Sequence, residues 1–237
     1  MIKPQKISLT NTEYLSLRNS DEALRISIEQ AMPTLGTLVL DIGCGSMPLT
    51  PLFHQKRSIY IGVDINQSVK PHAVMVAERL AVRSKTVDLI LCIATLEHVM
   101  SPQAVLSEAS RVLKKGGSII VQVPSLYPYH PSPEDHWRWT HTGLEQILRN
   151  AGLTVTAFYP SGTTLTTYLT IFIQGVSLFL IQSKVFSWLN LPVVVSLNSI
   201  GRLLEKFFSP NTPFYAPGNF LLSLAAVARK EGETNLQ

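Results

Sequence analysis

The sequence predicts an open, mostly parallel α/β sheet with helices on both of its faces. Short apolar segments alternate with segments that begin at helix-capping residues through about the first 160 residues, which is typical of βαβ folds. Val87–Ile93 (VDLILCI) is a nearly continuous apolar run, as expected of a strand that is covered on both faces. Asp41 and Asp64 each end a predicted strand, and ligands bind at the carboxyl ends of strands in such sheets.

The elements are predicted in order from these patterns. Strands are assigned to runs rich in valine, isoleucine and leucine, and helices to segments that follow a capping residue. The predicted strands are Thr37–Asp41, Ser58–Asp64, Ala73–Ala77, Val87–Ile93, Ser118–Pro124, Thr154–Tyr159 and Phe220–Ala228. The first predicted helix is 20–32, with Ser20 as its cap. The second starts at Ser101-Pro102 and ends in the cations and glycines of Lys114–Gly117. The third is 143–150, with the capping box Thr142/Glu145.

Composition limits the classes of protein that fit. Apolar residues make up 46% of the 237 and charged residues only 15%, against roughly 25% charged in an average soluble domain, which excludes a disordered chain. The net charge of +4 is too weak and too scattered to indicate nucleic-acid binding. Two cysteines exclude a disulfide scaffold, and the polar N-terminus predicts no secretory signal. We therefore expect a cytoplasmic protein.

The turn after the first predicted strand carries the chemistry. Leu38–Met47 reads LVLDIGCGSM, so Gly43 and Gly45 follow Asp41 in a tight turn where the backbone can approach a ligand closely. Asp64 stands 19 residues after Gly45, and a carboxylate there can accept hydrogen bonds from a ribose diol. Pro48 stands where a nicotinamide-dinucleotide fingerprint has its third glycine, which disfavours a dinucleotide-dependent oxidoreductase.

Four segments in the right order carry a family resemblance: LVLDIGCG, IGVDIN, VDLILCIATLEHV and SEASRVLKKGGSIIVQVPS. Together they resemble a class I S-adenosylmethionine-dependent methyltransferase, of the small-molecule group called methyltransferase type 11. The resemblance covers about 36–160, and 220–230 matches the family's last strand. It implies a Rossmann-like seven-stranded sheet whose last strand is antiparallel, with a methyltransferase core at 1–160 and 218–230.

The resemblance also implies S-adenosylmethionine as cofactor and a set of residues that bind it. Asp41 would orient the glycine turn and the amino group of the methionine moiety, Asp64 would hold the ribose hydroxyls, and Ile65 would lie against the adenine. The implied set is Asp41, Gly43, Cys44, Gly45, Asp64, Ile65, Ala77, Ile93 and Ala94. Met47 replaces a small residue and Val76 replaces an aspartate of the family pattern, and loss of that one hydrogen bond would weaken affinity up to about tenfold.

Candidate acceptor-binding residues lie in two places: Glu97 and His98 in LEHV, and the loop Tyr127–His141, which carries His130, Glu134, Asp135, His136, Trp137, Arg138 and Trp139. We predict His98 and His136 as catalytic, while a helix start fixed by the fold and a hydrogen-bonded loop histidine stay open as alternatives. The tryptophans would anchor the core, cover an acceptor or lie at a membrane interface. No metal site is predicted, because no helical spacing or cysteine partner supports one.

An apolar insertion separates the last two predicted strands. The chain has 28 charged residues in 1–150 but only 8 in 151–237, and none between Asn150 and Ser183. We predict that 161–217 forms an apolar helical insertion whose 161–209 part contacts a membrane peripherally, with Trp188, Lys184, Arg202 and Lys206 as headgroup anchors. A membrane span and a buried cap or dimer face are the alternatives. The segment 231–237 is predicted to be a disordered tail.

These observations predict a methyltransferase that acts on a small or lipid-linked acceptor, with O-methylation favoured, in the cytoplasm or peripherally on the inner face of the membrane. The alternative is a catalytically silent methyltransferase-like subunit that docks on a membrane enzyme, which the replacements Met47 and Val76 motivate. The sequence leaves the acceptor, the atom that is methylated and the oligomeric state open.

Overall fold

The structure is a computed structural model that describes residues 7–32, 36–55, 57–183, 186–207, 216 and 218–231. Its helices are α1 (Tyr14–Ala31), α2 (Thr50–Gln55), α3 (Pro102–Val112), α4 (His141–Asn150), α5 (Thr164–Gln182) and α6 (Asn190–Phe207). Its strands are β1 (Leu38–Ile42), β2 (Ile59–Asp64), β3 (Ala73–Val74), β4 (Val87–Ile93), β5 (Leu113–Pro124), β6 (Leu153–Pro160) and β7 (Ser223–Lys230).

Two compact units emerge from the contacts. The sheet unit contains the described residues from Leu24 to Tyr159 and from Leu224 onward, and the helical unit contains those up to Ala23 and from Pro160 to Ser223. The predicted core at 1–160 and 218–230 and the predicted insertion at 161–217 stay predictions. Lys184, most of the stretch 208–217 and all but the first residue of the predicted tail 231–237 lie outside the described residues.

The sheet has seven strands in the order β3-β2-β1-β4-β5-β7-β6. The first five strands in this order pair in parallel, and the β5-β7-β6 part is antiparallel. The predicted Rossmann-like sheet with an antiparallel last strand is therefore confirmed, as is the helical insertion between the last two strands. The strand order reverses between β1 and β4, so the carboxyl ends of these strands form the topological switch point where ligands bind.

The central strands are buried on both faces. Leu89, Ile90 and Leu91 of β4 are fully buried, as are Ile119 and Ile120 of β5. Burial of each such side chain stabilises the fold by about 1.5–3 kcal/mol. This double burial explains why β4 reads as a continuous apolar run and why its predicted bounds are those observed.

Several predicted ends are wrong. Strand β3 stops at Val74 rather than at position 77, because the chain turns and Val76 bridges Arg79. Helix α3 keeps its Ser101 cap but ends at Val112, and the predicted helix end Lys114–Gly117 lies in β5. The strand begins early because Leu113 pairs with Val87 before the register shifts. Helix α4 is capped by Thr140 and not by the predicted Thr142.

Helices α1 and α2 show what local sequence patterns miss. Helix α1 begins at Tyr14, six residues before the predicted cap Ser20, because Tyr14 and Leu15 are buried against Ile173 and Val194 within the helical unit. The sequence analysis did not predict α2, whose Phe53 is fully buried and stacks on a tyrosine of β2.

The helical unit buries small polar side chains beside an apolar cluster and exposes many large apolar side chains. Helix α5 buries mainly small polar residues, namely Thr166, Thr167, Thr170 and Ser177 beside Ile173 and Leu180. Six of its large apolar side chains are exposed, namely Tyr168, Ile171, Phe172, Leu178, Phe179 and Ile181. Within the described residues, α5 is the one helix long and apolar enough to cross a membrane by length and composition, and a third of its most apolar window is buried.

Candidate active site at the carboxyl ends of the strands

The glycine turn between β1 and α2 is fixed from two neighbouring strands. The backbone N–H groups of Gly43 and Cys44 donate to the carbonyl of Val63 at the end of β2, over 2.9 and 3.1 Å. The Thr95 hydroxyl after β4 lies 3.0 Å from the carbonyl oxygens of both Ile42 and Ile93. The turn is therefore held at the switch point by contacts with the ends of β2 and β4.

The two glycines of this turn have left-handed backbones and different surroundings. Gly43 has a φ of +72°, and a Cβ there would lie 2.3 Å from the Thr95 hydroxyl oxygen, so the position accepts only glycine. Gly45 has a φ of +49°, and a Cβ there would meet nothing within 4 Å. The open space beside Gly45 gives a ligand access to the turn.

Asp41 is buried beneath this turn, next to a second carboxylate. It is 3% exposed, and the Tyr60 hydroxyl donates a short hydrogen bond to its Oδ2. The pKa of the Asp41 carboxyl rises from its usual 3.8 to about 7, chiefly because the group is buried. The Tyr60 hydrogen bond opposes this rise, and the negative charge of Asp64 contributes to it. A bound cation would relieve this unfavourable placement of negative charge.

Asp64 connects the end of β2 to the glycine turn. Its Oδ2 accepts the N–H of Gly45 over 2.9 Å, and its Oδ1 accepts the N–H of Asn66 over 2.8 Å. A carboxylate has about four acceptor positions, so both oxygens keep a lone pair for further donors such as ribose hydroxyls. The carboxylate is thereby held in place before any ligand arrives.

These residues fit S-adenosylmethionine. Asp41 and Asp64 supply negative charge for a ligand that carries a sulfonium and an ammonium group, and the turn beside Gly45 is open to it. Next to Asp64, Ile65 is 64% exposed and offers an apolar surface to a flat base. Ile93 and Ala94 stand at the carboxyl end of β4, on the same edge of the sheet. Ala94 is exposed and has a left-handed backbone.

The remaining members of the implied set have different environments. Cys44 is buried, and this burial raises the pKa of its thiol to about 12, so it serves as a packing residue with no nucleophilic thiolate. Ala77 is half-buried in the turn after β3, next to Val76, which is exposed. Met47 has a φ of +56°, which a small residue adopts with less strain.

A second cluster lies directly after β4. Leu96–His98 forms a short 3-10 turn in which the Glu97 side chain is buried. Its Oε1 lies 3.9 Å from Nε2 of His98 and 4.0 Å from Nε2 of His130. Burial raises the pKa of the Glu97 carboxyl above its usual value. Among the described residues, neither carboxylate oxygen has a hydrogen-bond partner.

Arg138 fixes the loop that contributes His130 to this cluster. Its guanidinium donates to both oxygens of Asp135 over 2.5 and 2.7 Å and to the carbonyls of Tyr127 and Pro128. The hydrogen bonds from Arg138 hold the pKa of the Asp135 carboxyl well below its usual range. The indole of Trp137 donates to the carbonyl of Val99, 2.9 Å away. These bonds order the loop over the end of β4.

The two predicted catalytic histidines have different positions. His98 belongs to the Glu97 cluster, whereas the His136 side chain is exposed and its backbone N–H donates to the Glu97 carbonyl over 2.8 Å. His130 belongs to the loop that the sequence predicts to bind the acceptor but is not among the predicted catalytic residues, and Tyr60 and Thr95 were not predicted as site residues. His130 stands 33 positions after Glu97 and no local spacing joins them, whereas the polar Tyr60 in an apolar strand was a signal that pointed to a buried partner.

Comparison with known proteins agrees with this architecture. The family described as "Methyltransferase domain" matches residues 12–157. The chain is 27% identical over 134 residues to the ubiquinone biosynthesis O-methyltransferase of Dechloromonas aromatica, covering 50% of this chain and 57% of the relative. It is 24% identical over 216 residues to the protein of that name from Klebsiella pneumoniae, covering 84% and 78%. The chain spans about half the length of most of the curated relatives considered, and more of the Klebsiella protein.

Solved structures share the fold. The 1,6-didemethyltoxoflavin-N1-methyltransferase of Burkholderia thailandensis, solved with S-adenosylhomocysteine, has a TM-score of 0.55 and 15% identity, covering 90% of this chain and 79% of that protein. At this identity the likeness concerns the fold alone. Together with the matching family and the strand-end site, it shows that the chain belongs to the methyltransferase domain family and has the class I fold that uses S-adenosylmethionine.

Proposed function

We propose that the protein transfers a methyl group from S-adenosylmethionine to a hydroxyl group of a small or lipid-linked acceptor, at the inner face of the cytoplasmic membrane. The observation that carries the proposal is the Glu97 cluster, formed by Glu97, His98 and His130, which stands next to Ile93 and Ala94 at the edge of the cofactor site. Relatives named for O-methylation in ubiquinone biosynthesis support a hydroxyl acceptor.

The chemistry requires an oxygen nucleophile in line with the methyl group. S-Adenosylmethionine, when bound, supplies an electrophilic methyl carbon whose bond to sulfur breaks as the bond to the acceptor oxygen forms. The acceptor hydroxyl must lose its proton, and the Glu97 cluster provides basic atoms at that place. Positioning contributes about 7–11 kcal/mol to such reactions, and proton removal adds about 10²–10⁴-fold in rate. His98 acts within the cluster, and His136 is proposed to contact the acceptor from the loop.

A transfer assay tests this proposal with one substitution at the cluster. The protein is incubated with methyl-labelled S-adenosylmethionine and hydroxylated aromatic and lipid-linked acceptors. Glu97→Gln should lower kcat by about 10²–10⁴-fold and leave the dissociation constant of the cofactor within about twofold of wild type. Glu29→Gln, at an exposed position of α1, is the matched control and should keep the wild-type rate. Wild-type transfer by Glu97→Gln would contradict the proposal.

The helical unit supports the membrane part of the proposal. Hydrogen bonds join the polar groups inside this unit. Glu205 accepts from Arg18, Asn19 and Thr166 over 2.8–2.9 Å, and Asn198 donates to two backbone carbonyls. Its exterior exposes Phe172, Phe179, Leu178 and Ile181 of α5, Trp188, and Leu191, Ile200, Leu203 and Phe207 of α6. Exposed apolar surfaces of this extent are typical of sites that meet lipid or a partner.

Vesicle flotation tests this part separately. We expect the protein to float with vesicles of phosphatidylglycerol and phosphatidylcholine. Phe172→Ser with Phe179→Ser should reduce the bound fraction, because each phenylalanine that leaves the lipid forfeits about 1.5–3 kcal/mol. Met100→Ser is the matched control, since Met100 is an exposed apolar residue of the sheet unit. If the wild type stays in solution with such vesicles, the membrane part of the proposal is wrong.

A further inference from the structure

Three potential metal-ligand atoms converge in the Glu97 cluster. Oε1 of Glu97, Nε2 of His98 and Nε2 of His130 all lie within 4.8 Å of one another. Glu97 and His98 come from the 3-10 turn after β4, and His130 comes from the loop after β5. The fold therefore builds the group from two segments that both follow carboxyl ends of neighbouring strands.

The hydrogen bonds of the two imidazoles determine which nitrogen faces Glu97 as a lone pair. Nδ1 of His98 lies 2.5 Å from the carbonyl oxygen of Glu134, and Nδ1 of His130 lies 2.8 Å from that of Pro128. A carbonyl oxygen only accepts, so both Nδ1 atoms carry the hydrogen. In each neutral ring Nε2 is then the unprotonated atom, and it is directed at the Glu97 carboxylate.

In this arrangement the Glu97 carboxylate oxygens and the two Nε2 atoms are all hydrogen-bond acceptors, and they face one another. The Glu97 side chain is 1% exposed, and both of its oxygens are without a hydrogen-bond partner among the described residues. The Arg138 guanidinium donates to Asp135 and to loop carbonyls. Its Nη2 also lies 3.5 Å from Nδ1 of His130, which is longer than the 2.8 Å between that Nδ1 and the Pro128 carbonyl oxygen. A buried carboxylate that faces two imidazole lone pairs is unfavourable, and either a proton or a metal cation between them relieves it.

We propose that Glu97, His98 and His130 bind one divalent cation of the zinc type. Two imidazoles and one carboxylate are a ligand set that zinc uses in catalytic sites, where a fourth position stays open for water or substrate, whereas magnesium prefers oxygen ligands. Metal–ligand distances of about 2.1 Å hold neighbouring ligand atoms about 3.0–3.4 Å apart. The two separations from Glu97, 3.9 and 4.0 Å, therefore need to close by about 0.5–1.0 Å, and the two Nε2 atoms, which lie within 4.8 Å of each other, need to approach as well. This inference departs from the sequence analysis, which predicted no metal.

The surroundings match those of metal-bound histidines. Such ligands donate their second N–H to a carbonyl or carboxylate, which fixes the ring, and both Nδ1 atoms do so here. Asp135, whose side chain is fully buried, also lies 3.2 Å from Nδ1 of His130 and is itself held by Arg138. If the proposed function is right, the cation would stand beside the acceptor oxygen and stabilise the negative charge that forms on it, and Oε2 of Glu97, which is not one of the three ligand atoms, would take the hydroxyl proton.

Metal binding is measured on the full chain after treatment with a chelator, with Co²⁺ as an absorbing probe and Zn²⁺ in competition. We expect one Co²⁺ per chain, with absorption typical of low-symmetry coordination, and displacement by Zn²⁺. Glu97→Gln and His130→Ala should each weaken binding by more than the 10–100-fold that loss of an outer contact causes. His136→Ala, on the same loop but exposed, should bind like wild type.

Two results would overturn the metal site: no stoichiometric Co²⁺ or Zn²⁺ binding by the wild type, or equal binding by wild type, Glu97→Gln and His130→Ala. Titration of each variant with S-adenosylmethionine shows that it is folded, because the cofactor residues lie outside the cluster. A wild type that binds metal but methylates no hydroxyl acceptor would leave the metal site standing and refute the proposed function. Transfer at the wild-type rate by metal-free protein would leave the proposed function standing and refute the role of the cation in the reaction.

Discussion

Replacement of Asp41 by asparagine should stabilise the free protein at alkaline pH while it weakens the cofactor site. The carboxyl of Asp41 is buried and hydrogen-bonded by Tyr60, and its pKa of about 7 in the folded chain compares with 3.8 as its usual value. A raised carboxyl pKa means that the folded state holds the proton more tightly than the unfolded state does. The stabilisation is therefore complete below pH 3.8 and is lost as the pH rises through 7.

The size of the effect follows from the two pKa values. A difference of about three units corresponds to about 4 kcal/mol over the whole range, and about 2.5 kcal/mol of it is lost between pH 5 and pH 8. Asparagine does not titrate, and its amide oxygen can still accept the Tyr60 hydroxyl. From pH 5 to pH 8 the free energy of unfolding should therefore fall by about 2.5 kcal/mol more in the wild type than in Asp41→Asn.

Urea unfolding at pH 5 and pH 8, with and without S-adenosylmethionine, measures both effects. Because other titrating groups are common to both proteins, the difference between wild type and variant isolates Asp41. The cofactor should bind the variant about 10–100-fold more weakly, since a hydrogen bond to a charged group contributes about 1.5–3 kcal/mol.

Parallel pH profiles of wild type and Asp41→Asn would refute the reasoning about Asp41. They would mean that the carboxylate is ionised and stabilised by contacts other than those described. Unchanged cofactor affinity in the variant would show that the negative charge beneath the glycine turn contributes nothing to binding.

Three further predictions follow from the site and the helical unit. Gly43→Ala should destabilise the protein by several kcal/mol because the added Cβ would clash with Thr95. Gly45→Ala, whose Cβ would meet nothing within 4 Å, should cost only about 1–2 kcal/mol, because its backbone is left-handed. Urea unfolding compares the two variants, and equal losses would contradict the described turn. Arg138→Ala should release its loop, so that limited proteolysis cleaves the loop faster and kcat falls at unchanged cofactor affinity; an unchanged cleavage rate would show that Arg138 does not order the loop. Phe172→Ser should leave the free energy of unfolding within about 0.5 kcal/mol of wild type, because the side chain is 56% exposed, and a large loss in urea unfolding would place it in a packed interface.

The sequence predicts the sheet well because burial on both faces leaves a strong signal. Val87–Ile93 has its predicted bounds, and Asp41 and Asp64 stand at strand ends as expected. The signal fails where tertiary contacts decide. Tyr14 and Leu15 extend α1 because they pack against residues some 160 to 180 positions away. The local mark of that start is Asn11, whose side-chain oxygen accepts the Glu13 N–H, and it was not used in the prediction.

The candidate site divides in the same way. The glycine turn and Asp64 are local in sequence and follow from one motif, so they are readily predicted. The Glu97 cluster is different, because His130 reaches it from another loop and the hydrogen bonds that orient its ring come from backbone carbonyls. Backbone carbonyls carry no sequence signature, so a pattern of residue types gives no sign of these contacts.

Calorimetric titration of the purified protein with S-adenosylmethionine, beside Asp64→Ala, tests most directly that this chain holds a functional S-adenosylmethionine site, on which the whole account depends. The account predicts a dissociation constant in the micromolar range for the wild type, about −8 kcal/mol, and a loss of roughly 10²–10⁴-fold in the variant, since two hydrogen bonds to a charged acceptor disappear. A folded wild type that binds no S-adenosylmethionine in the presence of lipid would contradict the account and favour a catalytically silent subunit.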